Sequence, residues 1–280
     1  MLAAALALIT SLCYGVSNFV GPTLSRGLPV YPVLIAGQVV AFAVSGAALA
    51  IMQPSGPDGT VLLAAAVAGI GNGFGLICFY RAATLGPLSI VTPIGSLGVL
   101  VPVTAGVASG EPLGAFKLAG IALAIGGVAL ASRRPAGGAA ATGSERAAAL
   151  WALLAALAFG IFLACVAPAS EDGVFWAVML SRASLLVVLV AVAVALAAPL
   201  RAPLSRLPLL AVPGVLLFAG TLAYSAATIE GDLSVVSVLG SLFPLVTVGL
   251  AFAGGERVSR QQAAGVAAAL AGIVLVSVHA

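Results

Sequence analysis

Along the chain, apolar runs of about twenty residues alternate with short breaks marked by charge, proline or glycine. An α-helix rises 1.5 Å per residue, so about 20 apolar residues cross the hydrocarbon of a bilayer. The breaks divide the sequence into ten such runs. The first five cover residues 2–21, 30–52, 60–82, 87–108 and 113–132; the second five cover 147–168, 174–199, 208–228, 232–253 and 259–278. Backbone amides cannot stay unpaired in lipid, and the period-two alternation of barrel strands is absent, so each run predicts a helix. The expected fold is an all-α polytopic membrane protein with ten transmembrane helices.

The runs repeat. Shifted by 145 positions, residues 88–132 lie on 233–277 without a gap, and 19 of the 45 pairs are identical. The matches include Gly95-Ser96-Leu97 on Gly240-Ser241-Leu242 and Gly110-Glu111 on Gly255-Glu256. Upstream, Tyr80 with Ala82, Ala83 and Thr84 recurs as Tyr224 with Ala226, Ala227 and Thr228, one residue out of register. The same offset carries Tyr14-Gly15 onto Phe159-Gly160 and Tyr31 onto Trp176. Residues 1–132 therefore read as a first five-helix repeat and 147–280 as a second. Between them lies 133–146, a small-residue and proline-containing linker. Five is odd, so consecutive units enter the membrane from opposite faces, as in alternating-access transporters.

Composition narrows the class further. Charged residues make up 7% of the chain and apolar residues 62%, against about 25% charged in soluble domains. Net charge is only +3, and no basic cluster is interleaved with aromatics, which excludes nucleic acid as a partner. Residues 1–20 carry no basic segment of the kind that opens a signal peptide, so the first helix is expected in the mature protein. Cys13, Cys78 and Cys165 fall inside apolar runs at no metal-like spacing, and nothing calls for a cofactor or metal. The partners expected are a small-molecule cargo and membrane lipid; the sequence sets no oligomeric state.

Orientation follows from the basic residues. One face collects Arg26, Arg81, Arg133, Arg134, Arg146, Arg201, Arg206, Arg257 and Arg260, and the other only Lys117. The second face instead holds Asp58, Glu111, Glu171, Asp172, Glu230 and Asp232. The arginine-rich face, linker included, is expected in the cytoplasm and both termini outside.

Tyr80-Arg81-Ala82, the small-residue fourth helix ending in Gly-Glu and the Ala/Gly-rich fifth helix resemble the EamA repeat of the drug/metabolite transporter superfamily, in both halves. The resemblance implies a metabolite transporter working by alternating access in a bacterial inner membrane, with amino acids and related metabolites among the cargoes such proteins export. Two features depart from it. The family commonly has a proline about twelve residues before the Gly-Glu acid; Pro244 fits, but Val99 stands at that place in the first repeat. Many relatives also begin in the cytoplasm, whereas the charges here place both termini outside.

Candidate chemistry is sparse. All eight acids lie in loops or at helix ends, which disfavours the embedded-carboxylate proton antiport of small multidrug relatives; helix 1 offers Ser11, Ser17 and Asn18 instead. The single histidine, His279, lies next to the C-terminus, so no Ser–His pair exists within the bilayer and no enzymatic activity is expected. Arg182 is the one ionisable residue well inside a helix, about 12 Å from its start. Two placements are open: facing the cavity to hold an anionic group of the cargo, or extending outward to Glu171 and Asp172. The uncharged candidates for substrate binding are Asn18, Gln38, Asn72, Ser96 and Ser241, with Tyr14, Tyr80 and Tyr224, since amides and phenols orient a solute without introducing charge. Thr92 and Ser237 belong to the same polar set. Gly69, Gly71, Gly73 and Gly75 predict close contact of the third helix with its neighbours. Pro93, Pro102 and Pro244 predict breaks in the fourth and ninth helices near a midplane site.

The expected function is transport of a small anionic, zwitterionic or neutral metabolite. A lipid or lipid-linked sugar flippase of similar build, or a receptor or scaffold without transport, is the alternative.

Overall fold

Apolar side chains along almost their whole length make the long helices of this protein stable only where lipid or another helix covers them. The computed structural model describes residues 2–52, 55–101, 114–131, 143–171, 173–200, 204–230, 236, 239–240, 242–256 and 259–278. Ten helices run through them: α1 Leu2–Leu24, α2 Val30–Met52, α3 Gly59–Leu85, α4 Leu88–Gly95, α5 Ala115–Ala131, α6 Gly143–Glu171, α7 Val174–Ala195, α8 Leu207–Glu230, α9 Phe243–Ala253 and α10 Arg260–Val278. Six of these, α1 to α3 and α6 to α8, are long and apolar enough to cross a membrane. Side chains such as Ile51, Leu63 and Val187 are largely exposed, as lipid-facing positions are.

Most of the packing joins opposite halves. α3 lies along α6 and crosses α7, while α8 lies along α1 and crosses α2. α4 rests on α6 as α9 rests on α1, and α5 pairs with α10. Exchanging the halves leaves this pattern of neighbours unchanged, so the sequence repeat is also a structural one.

Glycines set the crossings. On α3, a side chain at Gly69 or Gly73 would run into α7, at Ser181 and Val188 respectively; one at Gly71 or Gly75 would run into α6, at Ala158 and Phe159. The expected close contact is thus two interleaved Gly-x-x-x-Gly pairs serving two neighbours. At the α2–α8 crossing, a Cβ on Gly214 would stand 1.7 Å from the Gly37 carbonyl oxygen.

Three boundaries differ from the expectation. α4 tightens into a 3-10 turn at Ser96–Val99, just after Pro93, which lacks a backbone donor; Ser96 Oγ donates to the Pro93 carbonyl at 2.8 Å. In the second repeat α9 starts at Phe243 with Pro244 in its first turn. Pro244 corresponds to Val99 and not to Pro93, so the two prolines stand at different positions of their repeats, and Pro102 lies outside the described residues. α6 begins at Gly143, inside the expected linker, with Glu145 in its first turn where the helix dipole favours an acid.

Candidate functional site

A cavity of about 270 Å³ lies between the halves. α1 contributes Tyr14 and Asn18, α3 Asn72 and Leu76, α4 Gly95 and the turn after it Ser96; from the second half come Phe159, Phe162, Leu163 and Pro168 among others of α6, Leu217 and Tyr224 of α8, and Gly240 and Phe243. Gly95 and Gly240 face equivalent aromatic rings: a Cβ on either would stand 3.4 Å, an ordinary contact, from Phe79 and Tyr224 respectively. Among the described residues, no Asp, Glu, Lys or Arg lines the cavity.

Five of the nine residues expected to bind substrate meet here: Tyr14, Asn18, Asn72, Ser96 and Tyr224. Ser241, like Ser237, lies outside the described residues. Tyr80 is buried elsewhere, its hydroxyl against Gly21 of α1. The sequence paired Tyr80 with Tyr224 at an offset of 144, but the ring that occupies the place of Tyr224 in the first half is Phe79, at 145. A one-residue shift turns a helical side chain by about 100°, so Tyr80 points away from the cavity. Ser11 and Ser17 of α1 act as helix ties, donating to the Leu239 and Pro213 carbonyls.

Arg182 and Gln38 stand behind the wall. The guanidinium is buried and turned toward α2 and α8: Nη1 donates to Gln38 Oε1 at 3.0 Å, and Nη2 to the Leu217 carbonyl at 2.7 Å and to Thr221 Oγ1. Nε has no partner among the described residues. Thr221 Oγ1 lies 3.0 Å from the Tyr14 hydroxyl, so the arginine is joined to the cavity through two side chains. Neither Arg182 nor Gln38 is part of the lining. Thr221 was not among the sequence candidates; a lone threonine in an apolar helix carries no signal of such a role.

The cavity has a direction. Along α6 its lining reaches Pro168, three residues from the helix end. On the opposite, arginine-rich side it stops at Asn18, Leu76 and Gly95. Leu76 lies nine residues before the end of α3 at Leu85, or about 13 Å at 1.5 Å per residue.

On that side Glu256 ties α9 to α4 and Arg26. α9 ends in a Schellman motif, with the Gly255 amide on the Phe252 carbonyl and the Glu256 amide on the Ala251 carbonyl. The motif needs a left-handed residue, and Gly255 supplies it at φ +91°. It delivers the Glu256 carboxylate to the first turn of α4, where it accepts from the Leu88 amide at 3.1 Å and the Ser89 amide at 3.0 Å. These are orphan donors at the positive end of a helix. Arg26 Nη2 completes the clasp at 2.8 Å. Burial alone pushes the Glu256 carboxyl up, but the Ser89 amide, Arg26 and the Leu88 amide together hold it below the ordinary value.

A profile of the EamA-like transporter family matches residues 1–133 and 146–278. A solved crystal structure superposes with a TM-score of 0.68 over 99% of this chain and 97% of that one, at 19% sequence identity. At that identity the likeness speaks for the fold. No curated protein sequence matches this chain.

Proposed function

The chain belongs to the EamA-like transporter family, and from that premise we propose that it moves a small neutral or zwitterionic metabolite by alternating access through the cavity between its repeats. The observation that carries the reading is a cavity built from both halves, reaching one face and clasped at the other. The cargo fits as a molecule with an apolar body against Phe159, Phe162 and Leu163 and a hydrogen-bonding head on Tyr14, Asn18 and Asn72. Amino acids with apolar side chains belong to this class. Exchange between an outward-open form and its inward-open counterpart requires the Glu256 clasp to part while the far side closes.

The charge asymmetry supports a bacterial inner-membrane orientation with the arginine-rich face in the cytoplasm, so this form opens outward. Labelling of a cysteine placed at position 140 tests it: reaction with an impermeant reagent from outside intact cells would reverse the orientation.

Transport itself is tested in proteoliposomes with radiolabelled L-phenylalanine, L-leucine and L-serine. Flux of the apolar probes, abolished by filling the cavity with Ser96→Trp, is the expected result. No flux of any probe alongside scrambling of a fluorescent phospholipid would replace the metabolite with a lipid cargo. Neither activity would leave a receptor or scaffold.

A further inference from the structure

We propose that Arg182 acts on the cargo without touching it, by making the Tyr14 hydroxyl a hydrogen-bond donor to the cavity through Thr221. The proposal rests on the transport reading only for what occupies the cavity; the relay itself is a property of the empty protein.

The argument is one of proton accounting. A guanidinium only donates, so Thr221 Oγ1 accepts from Arg182 Nη2. Thr221 then has one hydrogen to give, with two acceptors in reach: the Leu217 carbonyl at 2.8 Å and the Tyr14 oxygen at 3.0 Å. The Leu217 carbonyl also accepts from Arg182 Nη2 at 2.7 Å, which leaves it one lone pair and weakens its pull on a second hydrogen. A fixed cation behind the threonine also orients hydroxyl dipoles with oxygen toward it and hydrogen away, in surroundings where such fields are weakly screened. Both considerations send the Thr221 hydrogen to Tyr14. The Tyr14 oxygen is then occupied as an acceptor, and its own hydrogen is released toward the cavity that the residue lines.

The chain runs in one sense, from the Arg182 N–H to Thr221, from Thr221 to Tyr14 and from Tyr14 to the cargo. Each donor is strengthened by the one behind it. Gln38 fixes the other end by accepting from Nη1 at 3.0 Å. A buried cation thereby selects a cargo with a hydrogen-bond acceptor, such as a carboxylate or carbonyl oxygen, while the cavity keeps an uncharged lining. Arg182 and Thr221 are positioning residues and Tyr14 is the contact.

The test reads Tyr14 directly. The C–O stretch of tyrosine distinguishes a phenol that accepts a hydrogen bond from one that only donates, and the infrared difference between protein with Tyr14 and with Tyr14→Phe isolates this band. An accepting phenol is expected in the wild type, lost in Arg182→Gln and in Thr221→Val and kept in Arg182→Lys. The isosteric Thr221→Val serves if Arg182→Gln does not fold. A band unmoved by Arg182→Gln or Thr221→Val overturns the relay. In flux assays with L-phenylalanine, Tyr14→Phe and Thr221→Val should each raise KM about tenfold, the loss of one hydrogen bond, and the double variant no further. Fully additive effects would also overturn it. A band that responds in a protein carrying no probe would sink the transport reading and leave the relay standing; flux without a band response would do the reverse.

Discussion

The walls that α1 and α6 give to the cavity occupy the same positions of the two repeats and differ in chemistry. Tyr14 and Asn18 of α1 face the space from one side; Phe159 and Leu163, 145 positions later, face it from the other. The contrast extends to the next pair of helices, where Asn72 of α3 corresponds to Leu217 of α8. Some crossing glycines are kept in both repeats, as Gly69 with Gly214 and Gly75 with Gly220, whereas most side chains that enter the cavity differ. A duplicated scaffold thus supplies a two-fold framework, and unequal substitution turns its centre into an amphipathic site with a polar side and an apolar side. The same division appears at Gly37 and Arg182, equivalent positions of which one admits the α8 backbone and the other carries the buried cation.

The framework should break before the chemistry does. Gly214→Leu places a side chain on the Gly37 carbonyl, a backbone atom that cannot move aside. Its cost should exceed the roughly 1–3 kcal/mol of ordinary overpacking, read as loss of monodisperse protein in detergent. Gly71→Leu and Gly73→Leu should each cost about 1–3 kcal/mol, seen as lower melting temperatures. Their nearest neighbours differ: the α6 backbone for Gly71, mainly the Val188 side chain for Gly73. Gly71→Leu is therefore expected to be the worse of the two, and wild-type melting for both would remove the close-contact reading.

Making the walls alike tests the chemistry. Asn18→Leu copies the α6 residue onto α1 and should lower kcat/KM for L-phenylalanine about tenfold, with melting little changed. Leu163→Asn copies the other way and leaves an amide in an apolar wall, at a cost of about 1–3 kcal/mol of stability. Equal flux through both variants would mean that the polarity of the walls does not orient cargo.

The smallest effect concerns the clasp. The Glu256 carboxyl is held below its ordinary value of 4.5. The stabilisation it brings is therefore complete above that value and fades as pH falls through the lowered one. Wild type should lose melting temperature between about pH 5 and pH 3 by more than Glu256→Gln does. At neutral pH, Glu256→Gln should raise the labelling rate of a cysteine at position 18 from the arginine-rich side. Identical acid profiles for the two proteins would show that the clasp contributes nothing.

The sequence by itself determined the class, the ten helices and the repeat. These follow from local quantities: the length of apolar runs, the scarcity of charge and an offset that preserves glycines. It also singled out Glu256, through the Gly-Glu match, without revealing its task. That task depends on a φ of +91° at Gly255 and on the first turn of α4, more than 160 positions away. Five of the proposed binding residues were legible because buried amides, phenols and hydroxyls are rare in such helices. Tyr80 was misplaced because a motif match one residue out of register points to a different side of a helix. Arg182 was legible as an anomaly of depth, but its place was not: it neither lines the cavity, as expected of a substrate contact, nor extends outward, and turns instead toward α2 and α8. The partners that hold the guanidinium, Gln38, Leu217 and Thr221, come from α2 and α8. No local pattern brings those helices together; their packing does, because the Gly37–Gly214 crossing lets α2 and α8 approach within reach of α7.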